Sequence, residues 1–190
     1  MRIILASQSP RRQSILKDAG FTFDTIPSMF DESSVIPTTK EAYVMTLSYH
    51  KAKEVHNKHQ ESIVIGADTI VYVKDETNEY YLGKPKDKKH AKEMLSMLSG
   101  CTHQVLTGVT VISKHKEETF YTESNVTFKA LSELEIDAYI HTEEPFDKAG
   151  AYAIQGKGHQ LISTYDGDFF TIMGLPIKEV IEAIEKIKTS

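Results

Sequence analysis

The stretch that most constrains this fold lies at its beginning, where the apolar run Ile3-Ile4-Leu5-Ala6 passes directly into Ser7-Gln8-Ser9-Pro10-Arg11-Arg12. Residues 2–6 read as a buried strand. Serine at an N-cap, proline at the first helical position and Gly20 past the end predict a helix opening at Ser9-Pro10 and closing at Gly20. A strand thus hands the chain straight to a helix N-terminus. The elements that follow keep alternating, which predicts an α/β or α+β fold.

Residues 21–27 are expected as a second strand. Thr38-Thr39-Lys40-Glu41 has the form of a capping box and opens a helix running to about Asn57. Residues 62–73 are strongly β, and a turn leads on to a strand at 80–82. Asp87 caps a helix carrying Ala91, Met94, Leu95 and Leu98, which Gly100 stops. Residues 103–113 and 119–129 read as a hairpin. Ser132-Glu133-Leu134-Glu135 is another capping box, its helix ending near His141, with Leu131 and Ile136 placed as a hydrophobic staple. A loop-rich stretch covers 143–158, and strands are expected at 159–165 and 169–173. The last helix starts at Pro176 with Ile177, Val180, Ile181, Ile184 and Ile187 on one apolar stripe, which is core packing.

The length of 190 residues fits one domain or one compact two-lobed unit. The one cysteine, Cys101, excludes an internal disulfide framework and is expected as a small buried hydrophobe in a reducing compartment. No apolar stretch approaches the roughly 18 residues of a membrane span, and the apolar start is too short for a signal peptide, so the expectation is a cytoplasmic protein. A net charge of −5 disfavours general nucleic-acid binding. The eight histidines form no ligand cluster, and His56 and His59 are expected at the surface.

Four segments could carry chemistry. Free N–H groups at the first helix, with Ser7 and Ser9 beside them, favour an anion. Arg11 and Arg12 oppose the helix dipole there. They read either as a bidentate phosphate grip or as an exposed pair on an ordinary capped helix. Gly66-Ala67-Asp68-Thr69 puts a carboxylate inside an apolar strand, where it must be paired or on a metal. Asp68 reads as a general base or Mg²⁺ ligand, or as a turn cap. The small residues before it let another group approach the backbone. Lys84 in Gly83-Lys84-Pro85 is held on stiff backbone, as a phosphate-directed ammonium or an edge lysine. Lys51 and Lys53, two apart on a helix, face different ways, so one at most points into a shared site. Asp147-Lys148-Ala149-Gly150-Ala151-Tyr152 leads to Gln155, whose amide could read a base edge. Asp31 and Glu32 are either acidic groups near a metal or a solvated turn.

Taken in order, Leu5-Ala6-Ser7-Gln8-Ser9-Pro10-Arg11-Arg12, Gly66-Ala67-Asp68-Thr69, Gly83-Lys84-Pro85, Asp147-Lys148-Ala149-Gly150-Ala151-Tyr152, Ile154-Gln155-Gly156 and Gly174-Leu175-Pro176 resemble the Maf family of nucleotide pyrophosphatases. The resemblance covers residues 1–190 as a single domain. It implies a two-lobed α/β mixed-sheet fold like that of inosine triphosphate pyrophosphatases, with substrate in a cleft between the lobes. It implies a homodimer and a divalent metal, Mg²⁺ or Mn²⁺. Ser7, Arg11, Arg12, Lys51 and Lys84 would meet the phosphates, Asp68 would be general base and metal ligand, and Glu32 its metal partner. Arg11, Thr69 and Gln155 match the branch acting on dTTP and UTP; Ala153 stands where glycine is the more usual residue. The implied function is hydrolysis of pyrimidine triphosphates to monophosphate and pyrophosphate, in cleansing of the nucleotide pool. The competing reading is a nucleotide-binding regulator of cell division without turnover.

Overall fold

The computed structural model describes residues 1–188. Strand β1 (Ile3–Leu5) leads to helix α1 (Pro10–Asp18), β2 (Asp24–Thr25), α2 (Lys40–Lys58), β3 (Ile63–Lys74), β4 (Glu79–Leu82) and α3 (Lys88–Leu98). Then come β5 (Thr102–Ile112), β6 (Glu117–Phe128), α4 (Glu133–Ile140), β7 (Ile162–Asp166), α5 (Phe169–Met173) and α6 (Ile177–Lys188). Short 3-10 turns sit in the loops at Glu32–Ser34, Glu144–Asp147, Ala149–Ala151 and Gly156–Leu161. The chain is therefore α/β, with parallel and antiparallel strand pairs in mixed sheet. It divides into two compact units, each built from separate segments: residues 1–68, 107–122 and 174–188, and residues 69–106 and 123–173.

In the first unit the strand order is β2-β1-β3-β5-β6. Strand β1 runs parallel to both neighbours, with Ile4 opposite Asp24 on one side and Val64 on the other. A strand flanked on both sides must be apolar throughout, and Ile3, Ile4 and Leu5 are all buried. Ile4, Ala6, Val64 and Ile112 form a core with Ala52 and Val55 of α2. Helix α2 lies on backbone, since a Cβ at Gly66 would stand 2.5 Å from the Ser48 carbonyl oxygen and one at Gly108 2.3 Å from that of Val44. Helix α6 buries Val180, Ala183, Ile184 and Ile187, the expected stripe with Ala183 added and Ile177 and Ile181 nearer the edge.

In the second unit β4 pairs antiparallel with the later half of β3, Val71 opposite Leu82, and β7 pairs antiparallel with β6. Helix α3 is capped by the Asp87 carboxylate, which accepts from His90 N at 2.7 Å, and it buries the four predicted apolar residues Ala91, Met94, Leu95 and Leu98. The Ser132–Glu135 capping box on α4 forms as expected. Below the 149–158 loops, His103, Phe128 and Tyr152 meet edge to face.

His103 is 1% exposed, its Nε2 lies 2.8 Å from the Tyr152 hydroxyl, and its Nδ1 has no hydrogen-bond partner among the described residues. Burial alone pulls its pKa down from 6.5 to about 4. A folded-state pKa below the unfolded one gives stability that is whole above pH 6.5 and is lost as pH falls toward 4. Urea titrations between pH 7 and pH 4 should show a loss of roughly 3 kcal/mol that His103→Gln does not share.

The structure corrects several sequence expectations. Residues 169–173 form helix α5 and no strand. Their β-rich composition yields to a local cap: the Asp168 carboxylate accepts from Thr171 N at 2.5 Å and from its hydroxyl at 3.0 Å. The N-cap of α2 is Thr39, one residue later than the capping box placed it, with its hydroxyl accepting from Ala42 N. The strands expected at 21–27 and 159–165 shrink to Asp24–Thr25 and begin at Ile162. Cys101 is exposed, because it sits in the turn between α3 and β5. His56 is buried, because it lies beside Val55 on the inner side of α2.

Candidate active site

The join between β1 and α1 has the punctuation its sequence carries. Ser9 is the N-cap, Pro10 opens the helix, and Ser9 Oγ accepts from Arg12 N. Ser7, almost buried, accepts from Ser9 N at 3.2 Å and from Arg12 Nη1 at 3.2 Å. Arg12 reaches across the unit: its Nε donates to the Gly174 carbonyl at 2.7 Å and its Nη1 to the Ala67 carbonyl at 2.9 Å. Two of its nitrogens thus tie α1 to the middle of β3 and to the segment leading into α6. Burial lowers the Arg12 pKa, while the nearby Asp68 carboxylate opposes that shift and the neighbouring Arg11 adds to it.

Asp68 closes the first unit's share of β3 and is 8% exposed. Its carboxylate accepts from Lys51 Nζ. The same ammonium stands 2.6 Å from Glu32 Oε1. Two carboxylates from distant parts of the chain therefore meet at one lysine that is itself only 13% exposed at its side chain. Desolvation pushes the Asp68 pKa up; Lys51 and Arg12 pull it back, and the Glu32 charge pushes with desolvation. A carboxylate held this way resists ionisation yet keeps cations at hand, which makes it a stronger proton acceptor than an exposed aspartate.

Lys51 takes this place because of where it stands on α2. Gly66 lets the helix backbone close on β3, as the small residues before Asp68 suggested, and Lys51 precedes Ala52 at that contact. Lys53, two positions on, faces another way and pairs with Glu117 at 3.4 Å.

Two contributors escaped the sequence. Tyr43, one side of α2, has its phenol pKa raised by burial first and then by the charges of Asp68 and Glu32, so it lies in their field. Glu54 holds the loop that delivers Glu32. Its Oε2 accepts from Ser28 Oγ at 2.6 Å and Met29 N at 2.7 Å. Ser28 Oγ in turn accepts from Phe30 N, and the Phe30 ring stacks on His50 at 4.6 Å. Asp31 then caps the 3-10 turn that starts at Glu32. The signal for Glu54 is its spacing from His50 and Lys51 on one helix, but its partners are about two dozen residues away and no local pattern names them. Glu54→Ala should free residues 28–34: amide exchange there should speed by at least tenfold while α2 keeps its protection, read by hydrogen–deuterium exchange mass spectrometry.

Arg11 flanks this group, half-buried in the first turn of α1, near enough for its charge to act on Arg12. Thr69, Lys84 and Gln155 belong to the second unit. Thr69 is half-buried on β3. Lys84 is exposed on held backbone: the Gly83 carbonyl accepts from Gly150 N at 3.0 Å and Pro85 is buried. Gln155 is exposed and precedes the 3-10 turn Gly156–Leu161.

The family model for Maf-like proteins matches residues 2–187. A protein of Bacillus pumilus named dTTP/UTP pyrophosphatase is 48% identical over 184 residues, 97% of this chain and 95% of that protein. A protein of the same name from Acholeplasma laidlawii is 48% identical over 186 residues, 96% of this chain and 95% of its own. A Ham1 protein structure from Coxiella burnetii covers 100% of this chain and 98% of its own at 12% identity and TM-score 0.49, a likeness too loose to carry an argument.

Proposed function

Because the chain belongs to the Maf-like family, we propose that it is a nucleoside triphosphate pyrophosphatase that hydrolyses dTTP and UTP to the monophosphate and pyrophosphate. The observation that carries this reading is the meeting of Asp68 and Glu32 at Lys51, in a chain 48% identical over nearly its whole length to a protein named for that activity.

On this reading Asp68 orients a water molecule and takes its proton as the water oxygen attacks the α-phosphorus. The bond from that phosphorus to the oxygen bridging to the β-phosphate breaks, and pyrophosphate leaves with the electron pair. Lys51 follows the charge as it moves to the leaving group, and Arg11, Arg12 and Lys84 add to that stabilisation. The Ser7 hydroxyl, already accepting from Arg12, has a proton to donate to a phosphate oxygen. Thr69 and Gln155 are assigned to the base.

Among the described residues no three His, Cys, Asp or Glu side chains gather as a metal-binding group. The Asp68–Glu32 pair fits Mg²⁺ or Mn²⁺ nonetheless, since such an ion is commonly held by one or two carboxylates plus substrate phosphates and water. When bound it would neutralise charge on the phosphate oxygens. Family membership also supports a homodimer and a cytoplasmic place in nucleotide-pool cleansing; no helix among the described residues is long and apolar enough to cross a membrane.

The test is a panel of canonical and modified nucleoside triphosphates with products identified by phosphorus NMR. Monophosphate and pyrophosphate from dTTP and UTP are expected. Release of orthophosphate would overturn the site of attack. Tight dTTP binding with no product would favour a nucleotide-binding regulator instead.

A further inference from the structure

We infer that Glu144 is a positioning residue for base selection: it fixes the turn that presents Gln155, and so sets which nucleobase the enzyme prefers. The inference rests on the assignment of Gln155 to the base.

Glu144 opens the 3-10 turn Glu144–Asp147, after Glu143 in a left-handed conformation with φ 62°. Its carboxylate is spent on the neighbouring loop and on Tyr139 of α4. Oε1 accepts from Gly158 N at 2.9 Å and from the Tyr139 hydroxyl at 3.0 Å, and Oε2 accepts from Lys157 N at 3.0 Å. Tyr139 continues the connection, its hydroxyl oxygen accepting from Ala153 N at 3.3 Å. Glu144 is itself pinned, since its carbonyl oxygen accepts from Lys148 Nζ at 2.9 Å. The segment 153–158 is therefore fastened at Ala153 on one side and at Lys157 and Gly158 on the other, with exposed Gln155 between them.

The fit leaves no slack. A Cβ at Gly156, where φ is +80°, would lie 2.7 Å from Glu144 Oε2. One at Gly158 would lie 2.3 Å from the Ala153 carbonyl oxygen and 2.7 Å from the Tyr139 hydroxyl. The loop closes onto the carboxylate and phenol because both glycines lack a side chain. Two backbone donors from one short loop and a phenol from α4 converging on one carboxylate is the pattern of a part whose shape matters. An ordinary surface glutamate would leave these N–H groups to water.

Specificity built on a hydrogen-bonding amide depends on where that amide stands. Glu144→Gln keeps the size but sets an NH₂ group against the Lys157 N–H or the Tyr139 and Gly158 donors. Tyr139→Phe keeps the ring and removes one donor to Glu144 and the acceptor for Ala153 N. Both variants are to be assayed with Gln155→Ala on dTTP, UTP, dCTP and GTP, with kcat and KM separated. We expect the ratio of kcat/KM for dTTP over dCTP to fall by about tenfold in each, the size of about one hydrogen bond, chiefly through a higher KM for dTTP. In Glu144→Gln and Tyr139→Phe the kcat for dTTP should stay within about twofold, because the water-attacking groups are untouched. A role in stability alone would lower the melting temperature and leave the ratio unmoved. If Gln155→Ala changes the ratio while Glu144→Gln and Tyr139→Phe do not, the positioning role of Glu144 is overturned and base reading by Gln155 stands. If Gln155→Ala leaves the ratio at the wild-type value, the base-reading role falls and this inference with it. Should Glu144→Gln not fold, Tyr139→Phe decides.

Discussion

Asp68→Asn should lower kcat for dTTP by about 10²–10⁴-fold while leaving the protein at least as stable as before. The substitution keeps the shape and keeps an oxygen that can accept from Lys51. It removes the basicity that would take the proton from water. Stability moves the other way because desolvation is the largest influence on Asp68 and raises its pKa. A group whose folded pKa is raised is more stable protonated, so its ionisation near neutrality costs stability that a neutral amide does not. Rate should fall on the acid side of the pH profile as Asp68 takes a proton, with the fall centred above the ordinary aspartate range. Steady-state kinetics paired with thermal melts in a metal chelator check both halves. Near-normal turnover by Asp68→Asn would remove Asp68 from the role, and a sharp drop in melting temperature would show that the charge serves the fold.

Gly66→Ala should be the most damaging small change on the first unit. The added methyl would stand 2.5 Å from the Ser48 carbonyl oxygen, 2.6 Å from Ala52 N and 2.8 Å from Ala52 Cβ. Two of these neighbours are helix backbone, which cannot swing aside as a side-chain tip can. Helix α2 must lift from β3, taking its buried Val55 and Ala52 with it. Overpacking of this kind costs about 3 kcal/mol or more, or roughly 6–12 °C in melting temperature for a chain of this size. Lys51 would move with the helix, so activity should fall as well. Gly108→Ala should behave alike, its methyl meeting Val44 O at 2.3 Å. Gly83→Ala is the control: no described residue beyond its chain neighbours stands within 4 Å of that Cβ position, and stability should hardly change. Equal losses from Gly66→Ala and Gly83→Ala in urea denaturation would refute the close-approach account.

The contrast between these positions marks what a sequence can announce. A carboxylate inside an apolar strand is a local anomaly, and so are two arginines at a helix start; Asp68 and Arg12 were legible for that reason. Arg12 nonetheless spends Nε and Nη1 on the Gly174 and Ala67 carbonyls, contacts no local pattern announces. Helical spacing separated Lys51 from Lys53 but could not choose between them; the glycine under the helix makes the choice. Glu32 looked as much like a solvated turn as a site residue, because the groups that hold its loop, Glu54 and His50, are far off in sequence. Residues 169–173 misled through composition, since the Asp168 cap outweighed their β preference. Cys101 and His56 were misjudged by residue type, one toward the core and one away from it, where the turn and the helix side decided. Roles for Lys84, Thr69 and Gln155 come from the family pattern, and their own surroundings add held backbone and exposure.

The segmented build of the first unit has a consequence for how the protein is made. Its strands β1 and β3 and its helix α2 all emerge early from the ribosome, yet residues 174–188 belong to the same unit. Helix α6 supplies Val180, Ala183, Ile184 and Ile187 to burial, and the Gly174 carbonyl is the partner of Arg12 Nε. Synthesis at about 5–20 residues per second leaves the early half waiting several seconds for that last piece. During the wait the unit lacks the apolar side chains that α6 buries in it. The tie from Arg12 to Gly174 is thus made only at the end of translation, and a nascent chain stalled before Gly174 lacks it.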